Sequence, residues 1–336
     1  MKICIYGGGS LGLVCAAVFS HQGIDVSLVT KHPENWHNEV EAHDPVGKVY
    51  RGNIKQITSS AGQVVPSCDM VLLCVPGFLI ESALLEIKEH LKVGALVGSI
   101  VSNTGFFIFA HKILAEGTSL FGFQRVPYIA RTQEYGKIGN LLGYKSQLAV
   151  ALENVTDIEA VRVQLEHLFL TPVKLLDNFY EASLSNSNPI LHTGRMYSML
   201  KMWNGEPFAD RILFYEDWDD DSSNELVKMD EEFMQLLNKL NVDKKVIPSL
   251  LEYYESSDES ALTRKLSSIP AFKGIYAPMK QVEGGWVPDV DSRYFTEDFP
   301  FGLRLIYELC ETNGVPCPNI EKVYKWGVDF MNRHKA

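Results

Sequence analysis

The sequence predicts two domains of different class: an α/β domain with a parallel sheet over residues 1–174, and a mainly α-helical domain over residues 175–336. Three observations lead there. A glycine-rich turn follows a short β-like run near the start. Continuous apolar runs then alternate with helical segments. Near Leu170 to Leu176 this alternation stops, and helical patterning with long loops takes over. A length of 336 residues also fits two domains better than one.

The first strand is Lys2 to Tyr6 (KICIY). Gly7-Gly8-Gly9-Ser10-Leu11-Gly12 follows and matches G-x-G-x-x-G. Leu11 to Phe19 is small and apolar, and Asp25 to Thr30 reads as a second strand. A strand, tight turn, helix and strand in this order form the dinucleotide fingerprint of a Rossmann-type domain. Gly7 makes the turn, Gly9 lets a pyrophosphate reach the backbone, and Gly12 lets helix and strand pack closely. Ser10 and Leu11 then open the helix whose free N–H groups receive the phosphate. Met70 to Val75 and Ala95 to Val101 are continuous apolar runs, as strands buried on both faces should be. Val75-Pro76 and Ser102-Asn103-Thr104-Gly105 leave their carboxyl ends, where open α/β sheets bind ligands. Thr30-Lys31-His32 ends the second strand without the carboxylate that holds a ribose diol in NAD sites. A cation there suits a 2′-phosphate, so NADP(H) is the preferred cofactor and NAD(H) the alternative.

The bulk numbers exclude several classes. The net charge is −11 with no basic stripe, which argues against nucleic acid or an anionic membrane as partner. No segment has 18 uninterrupted apolar residues. The apolar start resembles a signal peptide on hydropathy, but Gly7 to Gly9 would break the helix a signal needs. Six cysteines without a C-x-x-C pair fit a reduced, cytoplasmic protein. His32, His37 and His43 are irregularly spaced with no cysteine partner, so no metal site is expected. Glu216 to Asp221 lacks the central glycine of a calcium loop, and Lys228 stands where its bidentate glutamate belongs. That acidic run reads as a solvated start for a helix Glu225 to Leu240, with a capping box over Ser222 to Glu225.

In the second half, Phe179 to Ser198 reads as one long helical segment, kinked or restarted at Pro189. Asn188 suits its N-cap, and His192 falls in the first turn. The positive helix end disfavours charge on His192, so a functional histidine there needs an anionic partner. Val287 to Leu303 (VPDVDSRYFTEDFPFGL) sets Arg293, Glu297 and Asp298 among aromatics. Partly buried charges must be paired. An arginine there can clamp a carboxylate, and an aspartate can pair with a distant histidine.

These residues resemble the opine dehydrogenase family, the octopine/nopaline dehydrogenase group. The resemblance runs over nearly the whole chain. It rests on Gly7 to Gly12, on Asn188-Pro189-Ile190-Leu191-His192, and on Arg293 to Leu303 (RYFTEDFPFGL); Phe123 to Arg131 and Ala271 to Pro278 read similarly. It implies a second domain of the 6-phosphogluconate dehydrogenase-like type and the reductive condensation of an α-keto acid with an amino acid through an imine. By the same resemblance His192 is the general acid/base, Asp298 orients it, Arg293 holds a substrate carboxylate and Asn188 contributes to the substrate site. A homodimer is left open. The family usually carries tryptophan where this chain has Tyr128, and the segment between Trp203 and Glu255 matches no specific amine. Two other readings stand beside this one: a ketopantoate-type or 2-hydroxyacid reductase, which relies on a lysine such as Lys201, and a non-catalytic NADP(H)-binding protein.

Overall fold

Short apolar runs bounded by turns become the strands of the first unit, Met1–Ser183, in a computed structural model that describes residues 1–103 and 105–334. Its elements are β1 (Lys2–Tyr6), α1 (Ser10–His21), β2 (Asp25–Val29), β3 (Glu39–His43), β4 (Val49–Asn53), β5 (Gln56–Thr58), β6 (Met70–Leu73), α2 (Ile80–Ile87), β7 (Leu96–Ser99), α3 (Phe106–Ile113), β8 (Ser119–Phe123), β9 (Tyr128–Glu134), β10 (Ile138–Tyr144), β11 (Leu148–Glu153), α4 (Ile158–Phe169), β12 (Val173–Leu175) and α5 (Phe179–Ser183). Thr104, in the loop expected after β7, lies outside the described residues.

The main sheet has the order β12-β11-β8-β7-β6-β1-β2-β5. From β8 to β5 every neighbouring pair is parallel. Strands β6 and β7 are buried at every residue, which is why they read as unbroken apolar runs. The sheet is not parallel throughout. β11 runs antiparallel to β8, and β12 follows β11. The chain between β8 and β11 spends itself on the antiparallel pair β9–β10 and returns alongside β8, so no crossover helix is needed.

A second sheet, of order β4-β3-β10-β9, was not visible in the sequence pattern. It explains α1. That helix touches β1 and β2 on one side and β3, β4, β9 and β10 on the other. Every residue from Gly12 to Phe19 is buried, so the helix is apolar all round. Burying Leu13, Val14, Val18 and Phe19 contributes roughly 1.5–3 kcal/mol each. The N-terminus of α1 is thereby fixed against the carboxyl ends of β1 and β2.

The second unit begins at Leu184. Residues 175–183, including α5, therefore pack with the first unit. The second unit contains α6 (Asn188–Leu200), α7 (Asp220–Lys239), α8 (Leu250–Tyr253), α9 (Glu259–Ser268), the hairpin β13 (Met279–Val282) and β14 (Gly285–Pro288), α10 (Arg293–Thr296), a π-helical turn (Phe299–Leu303), α11 (Arg304–Asn313) and α12 (Pro318–His334). The long segment expected over Phe179 to Ser198 is two helices, because Pro189 lacks the N–H that a helix interior requires and sits in the first turn of α6. Helices α6, α7 and α12 pack on one another. Buried Glu232 of α7 holds the start of α12, accepting the Asn319 and Ile320 N–H groups, each at 2.9 Å. Among the described residues no helix is long and apolar enough to cross a membrane.

Candidate active site

The glycine-rich turn of the first unit is shaped for an anion. Gly7 has φ +119°, a conformation open to glycine, and its N–H bonds the Val29 carbonyl at 2.9 Å. A Cβ there would sit 2.5 Å from the Cys74 carbonyl oxygen and 2.8 Å from Val75 Cγ1, so Val75 lies against the turn. A Cβ on Gly12 would lie 1.9 Å from the Gly7 carbonyl oxygen. At Gly9 the reverse holds. A Cβ would meet nothing within 4 Å, and Gly9 caps α1 with no side-chain hydrogen bond. The start of α1 thus has open space beside a residue without a side chain, which suits a phosphate. Ser10 is held by Thr132, hydroxyl to hydroxyl at 2.9 Å, and Leu11 is half-buried under the turn. Pro76 is exposed and opens the short turn Gly77–Leu79. At the end of β2, Thr30 is buried, its N–H bonded to the Thr58 carbonyl at 2.9 Å, while Lys31 is exposed. His32 pairs with Glu34 at 3.1 Å.

The second unit assembles a different kind of site. His192 Nδ1 lies 2.8 Å from Asp298 Oδ2, across 106 residues of sequence. Both side chains are mostly buried, at 12% and 17% exposure. An ionised carboxylate only accepts, so Nδ1–H is the donor and Nε2 carries the lone pair. The Tyr294 ring covers the imidazole at 4.5 Å, and Phe214 meets it edge-on at 5.6 Å. Tyr215 Oη stands 3.3 Å from Nε2.

Local structure explains the pairing. Asp298 caps the π-helical turn, and the Leu303 N–H bonds the Asp298 carbonyl at 2.7 Å. Pro300 inside that turn offers no N–H, which favours a wider turn over a regular one. Gly302 brings the turn onto α6: a Cβ at Gly302 would stand 2.6 Å from Pro189 Cγ. Pro189 and Gly302 therefore set the approach of the two segments that carry His192 and Asp298.

Two sequence expectations need correction here. Ser187, not Asn188, is the N-cap of α6. Asn188 is its first residue, Pro189 its second and His192 its fifth, so His192 lies in the second turn. The cause is local: the Ile190 and Leu191 N–H groups both turn back to the Ser187 carbonyl, at 3.1 and 2.9 Å. Asn188 is exposed, one turn before His192 on the same face. The second correction concerns the acidic run. The cap is Asp219, whose carboxylate accepts the Ser222 N–H at 2.8 Å and starts α7 at Asp220. Ser222 and Glu225 form no capping box; Glu225 pairs with Lys322 at 2.6 Å. Nor is the run merely solvated, since Glu216 accepts the Gly274 N–H at 2.7 Å and Asp217 the Leu213 N–H at 2.8 Å.

Arg293 is 83% exposed, not wedged among aromatics, and its guanidinium pairs with Glu297 at 2.7 Å. The pairing raises its pKa. Lys201 is bound to Asp221 at 2.6 Å, and that ion pair also raises its pKa. Nine residues of helix, about 13 Å of rise, separate Lys201 from His192.

Residues 175–331 match the family described as NAD/NADP octopine/nopaline dehydrogenase, alpha-helical domain, and residues 3–102 match ketopantoate reductase PanE/ApbA. Octopine dehydrogenase of Mizuhopecten yessoensis is 26% identical, over 99% of this chain and 90% of its own length. Tauropine dehydrogenase of Arabella iricolor is 27% identical, over 98% and 91%. The chain is thus similar to opine dehydrogenases over nearly its whole length. A solved structure of octopine dehydrogenase with NADH and L-arginine has the same fold, with a TM-score of 0.86 at 24% identity, covering 99% of this chain and 90% of the other.

Two residues next to the candidate acid/base were not apparent from the sequence. Arg195, three positions after His192 on α6, is fully buried. It donates to the Phe214 carbonyl at 3.2 Å, the Asp217 carbonyl at 2.6 Å and Ser222 Oγ at 2.6 Å. Burial pulls its pKa down, opposed by Asp219 and Asp217. A helical arginine three residues from a candidate histidine was the available signal. Tyr215, which Arg195 brackets, had none, because it sits in a loop beside an acidic run.

Proposed function

We propose that this chain is an opine dehydrogenase that joins an α-keto acid to an amino acid through an imine and reduces that imine with NAD(P)H. The observation that carries this reading is the 2.8 Å His192–Asp298 pair, with Nε2 free of the carboxylate. Imine formation requires a carbinolamine to lose water. His192 in its imidazolium form gives a proton to the departing hydroxyl, and Asp298 stabilises that form and fixes the ring. In the reverse direction the neutral imidazole takes the proton back. The exposed Arg293 fork exchanges Glu297 for the carboxylate of the keto acid, trading one ion pair for another. Asn188, on the His192 face of α6, contributes a polar contact to the substrate.

The first unit holds the dinucleotide through Gly7, Gly9, Ser10, Leu11 and Gly12, with Val75 and Pro76 beside the turn. The open space at Gly9 and the uncapped start of α1 support the fit. A nicotinamide, when bound, supplies the hydride. NADP(H) is preferred, since the exposed Lys31 follows β2 where a ribose-binding carboxylate would otherwise stand. Comparing kcat/KM for NADPH and NADH tests this; equal values or a preference for NADH refute it.

A second reading, reduction of a keto acid alone, is favoured by the ketopantoate reductase match to residues 3–102. That match covers the cofactor half only. The lysine such a mechanism needs is tied to Asp221 at the far end of α6. Cofactor oxidation with pyruvate alone, then with pyruvate and a panel of amino acids that includes arginine, separates the readings. Turnover only with both substrates supports the opine reaction. Turnover with pyruvate alone supports the reductase.

A further inference from the structure

The second nitrogen of His192 has a built partner. Tyr215 Oη lies 3.3 Å from Nε2. Since Asp298 fixes the proton on Nδ1, the phenol donates to Nε2 of the neutral ring and accepts from Nε2–H once the ring is charged. We propose that Tyr215 is a positioning residue for His192, holding the imidazole from the side opposite Asp298 so that Nε2 is presented in one orientation. This rests on the opine dehydrogenase reading above.

Three features show that the contact is constructed. The Tyr215 ring is stacked on Phe272 at 4.0 Å and 18°, and on Trp218 at 6.1 Å and 10°, which fixes its plane. Arg195 grips the main chain on both sides of it, through the carbonyls of Phe214 and Asp217. Arg195 and His192 are three residues apart on α6, so one helix sets both the imidazole and the loop that carries the phenol. Burial, then the neighbouring tyrosines Tyr294 and Tyr254 and the Asp298 charge, raise the Tyr215 pKa well above the ordinary phenol value. The same burial favours the protonated hydroxyl, the form that can donate to Nε2. A 3.3 Å contact is long for a hydrogen bond to a hydroxyl, so it constrains the ring yet yields to a substrate atom.

The charged and titratable groups around His192 are Asp298 at Nδ1, Tyr215 at Nε2, Tyr294 over the ring, and Arg293 of α10 with its partner Glu297. Among these, Tyr215 and Asp298 touch the imidazole nitrogens. A hydrogen bond from a charged donor is the stronger one, so losing the phenol oxygen costs the imidazolium more than the neutral ring.

The test is Tyr215→Phe, which keeps the stacked ring. The expected result is a kcat about 10-fold lower with KM for keto acid and cofactor held, and the limb of the pH–rate profile that reports the acid moved about one unit toward lower pH. Nitrogen NMR of the imidazole, which needs no turnover, should show the Nε2 signal displaced in the variant. An unchanged kcat and pH profile overturns the proposal, and so does a lower melting temperature with the profile unmoved, which would mark the phenol as structural only. If the unaltered protein turns over no substrate pair, the functional reading fails, and the Nε2 signal alone then decides whether Tyr215 acts on His192.

Discussion

Replacing Asp298 with asparagine removes one charge from the centre of the site and leaves the shape of the side chain intact. The carboxylate has one structural duty beyond the charge, to accept the His192 Nδ1–H at 2.8 Å. Its main chain, which holds the π-helical turn through Leu303 N–H, is untouched by the change. The fold should therefore survive. The loss comes in two parts. A hydrogen bond to a charged group contributes about 1.5–3 kcal/mol, and its neutral replacement recovers about half of that, so the imidazolium loses a factor of about 4 to 12. The amide can also rotate and donate to Nδ1, which moves the ring proton to Nε2 and removes the lone pair from the substrate side. In a comparable histidine–aspartate pair that error costs about 10⁴ in turnover. The expected kcat for Asp298→Asn is thus between about 4-fold and 10⁴-fold below the starting value, with cofactor affinity held because the glycine turn belongs to the other unit. The assay is steady-state NADPH oxidation with a keto acid and an amino acid over a range of pH, alongside a cofactor-binding titration. Turnover within about threefold at every pH, in a variant that unfolds at the same temperature, would refute the electrostatic role assigned to Asp298.

His192→Asn should lower kcat about 10²- to 10⁴-fold while NADPH binding is held; stopped-flow turnover and a binding titration check it, and unchanged turnover removes His192 from the chemistry. Gly302→Val should cost about 1–3 kcal/mol in denaturant unfolding, because even its Cβ would stand 2.6 Å from Pro189 Cγ, and it should lower kcat by parting His192 from Asp298. A variant as stable and active as the parent would show that the close approach is unimportant. Asp230 gives a pH-dependent test of stability. Burial, with smaller contributions from Glu231 and Glu252, raises its pKa to about 7, against the Leu250 N–H that lowers it. A carboxyl with a raised folded-state pKa contributes fully below its unfolded value and loses that contribution as pH rises toward 7. The chain should therefore lose up to about 4 kcal/mol from this group between acid and neutral pH. Asp230→Asn, which keeps an oxygen for Leu250 N–H, should flatten that slope in denaturant melts; identical slopes would contradict it.

The first 30 residues were legible from sequence because their constraints are local. Gly7 and Gly12 each answer to atoms a few residues away or one strand across, and a strand buried on both faces declares itself as an apolar run. The second sheet was hidden because β3, β4, β9 and β10 are partly exposed, and what they share is α1 rather than a sequence pattern. His192 and Asp298 could be named from sequence through a family resemblance, but their 2.8 Å separation could not be derived. It depends on Pro189 meeting Gly302, a contact between residues 113 positions apart. The sequence alone thus determined which residue types are present and which local turns they permit. The tertiary structure decided that an exposed Arg293 pairs with Glu297, that an acidic run holds a loop together, and that a buried Arg195 sets Tyr215 over an imidazole nitrogen. Electrostatic partners act over a few ångströms of space, and chain order does not encode that distance.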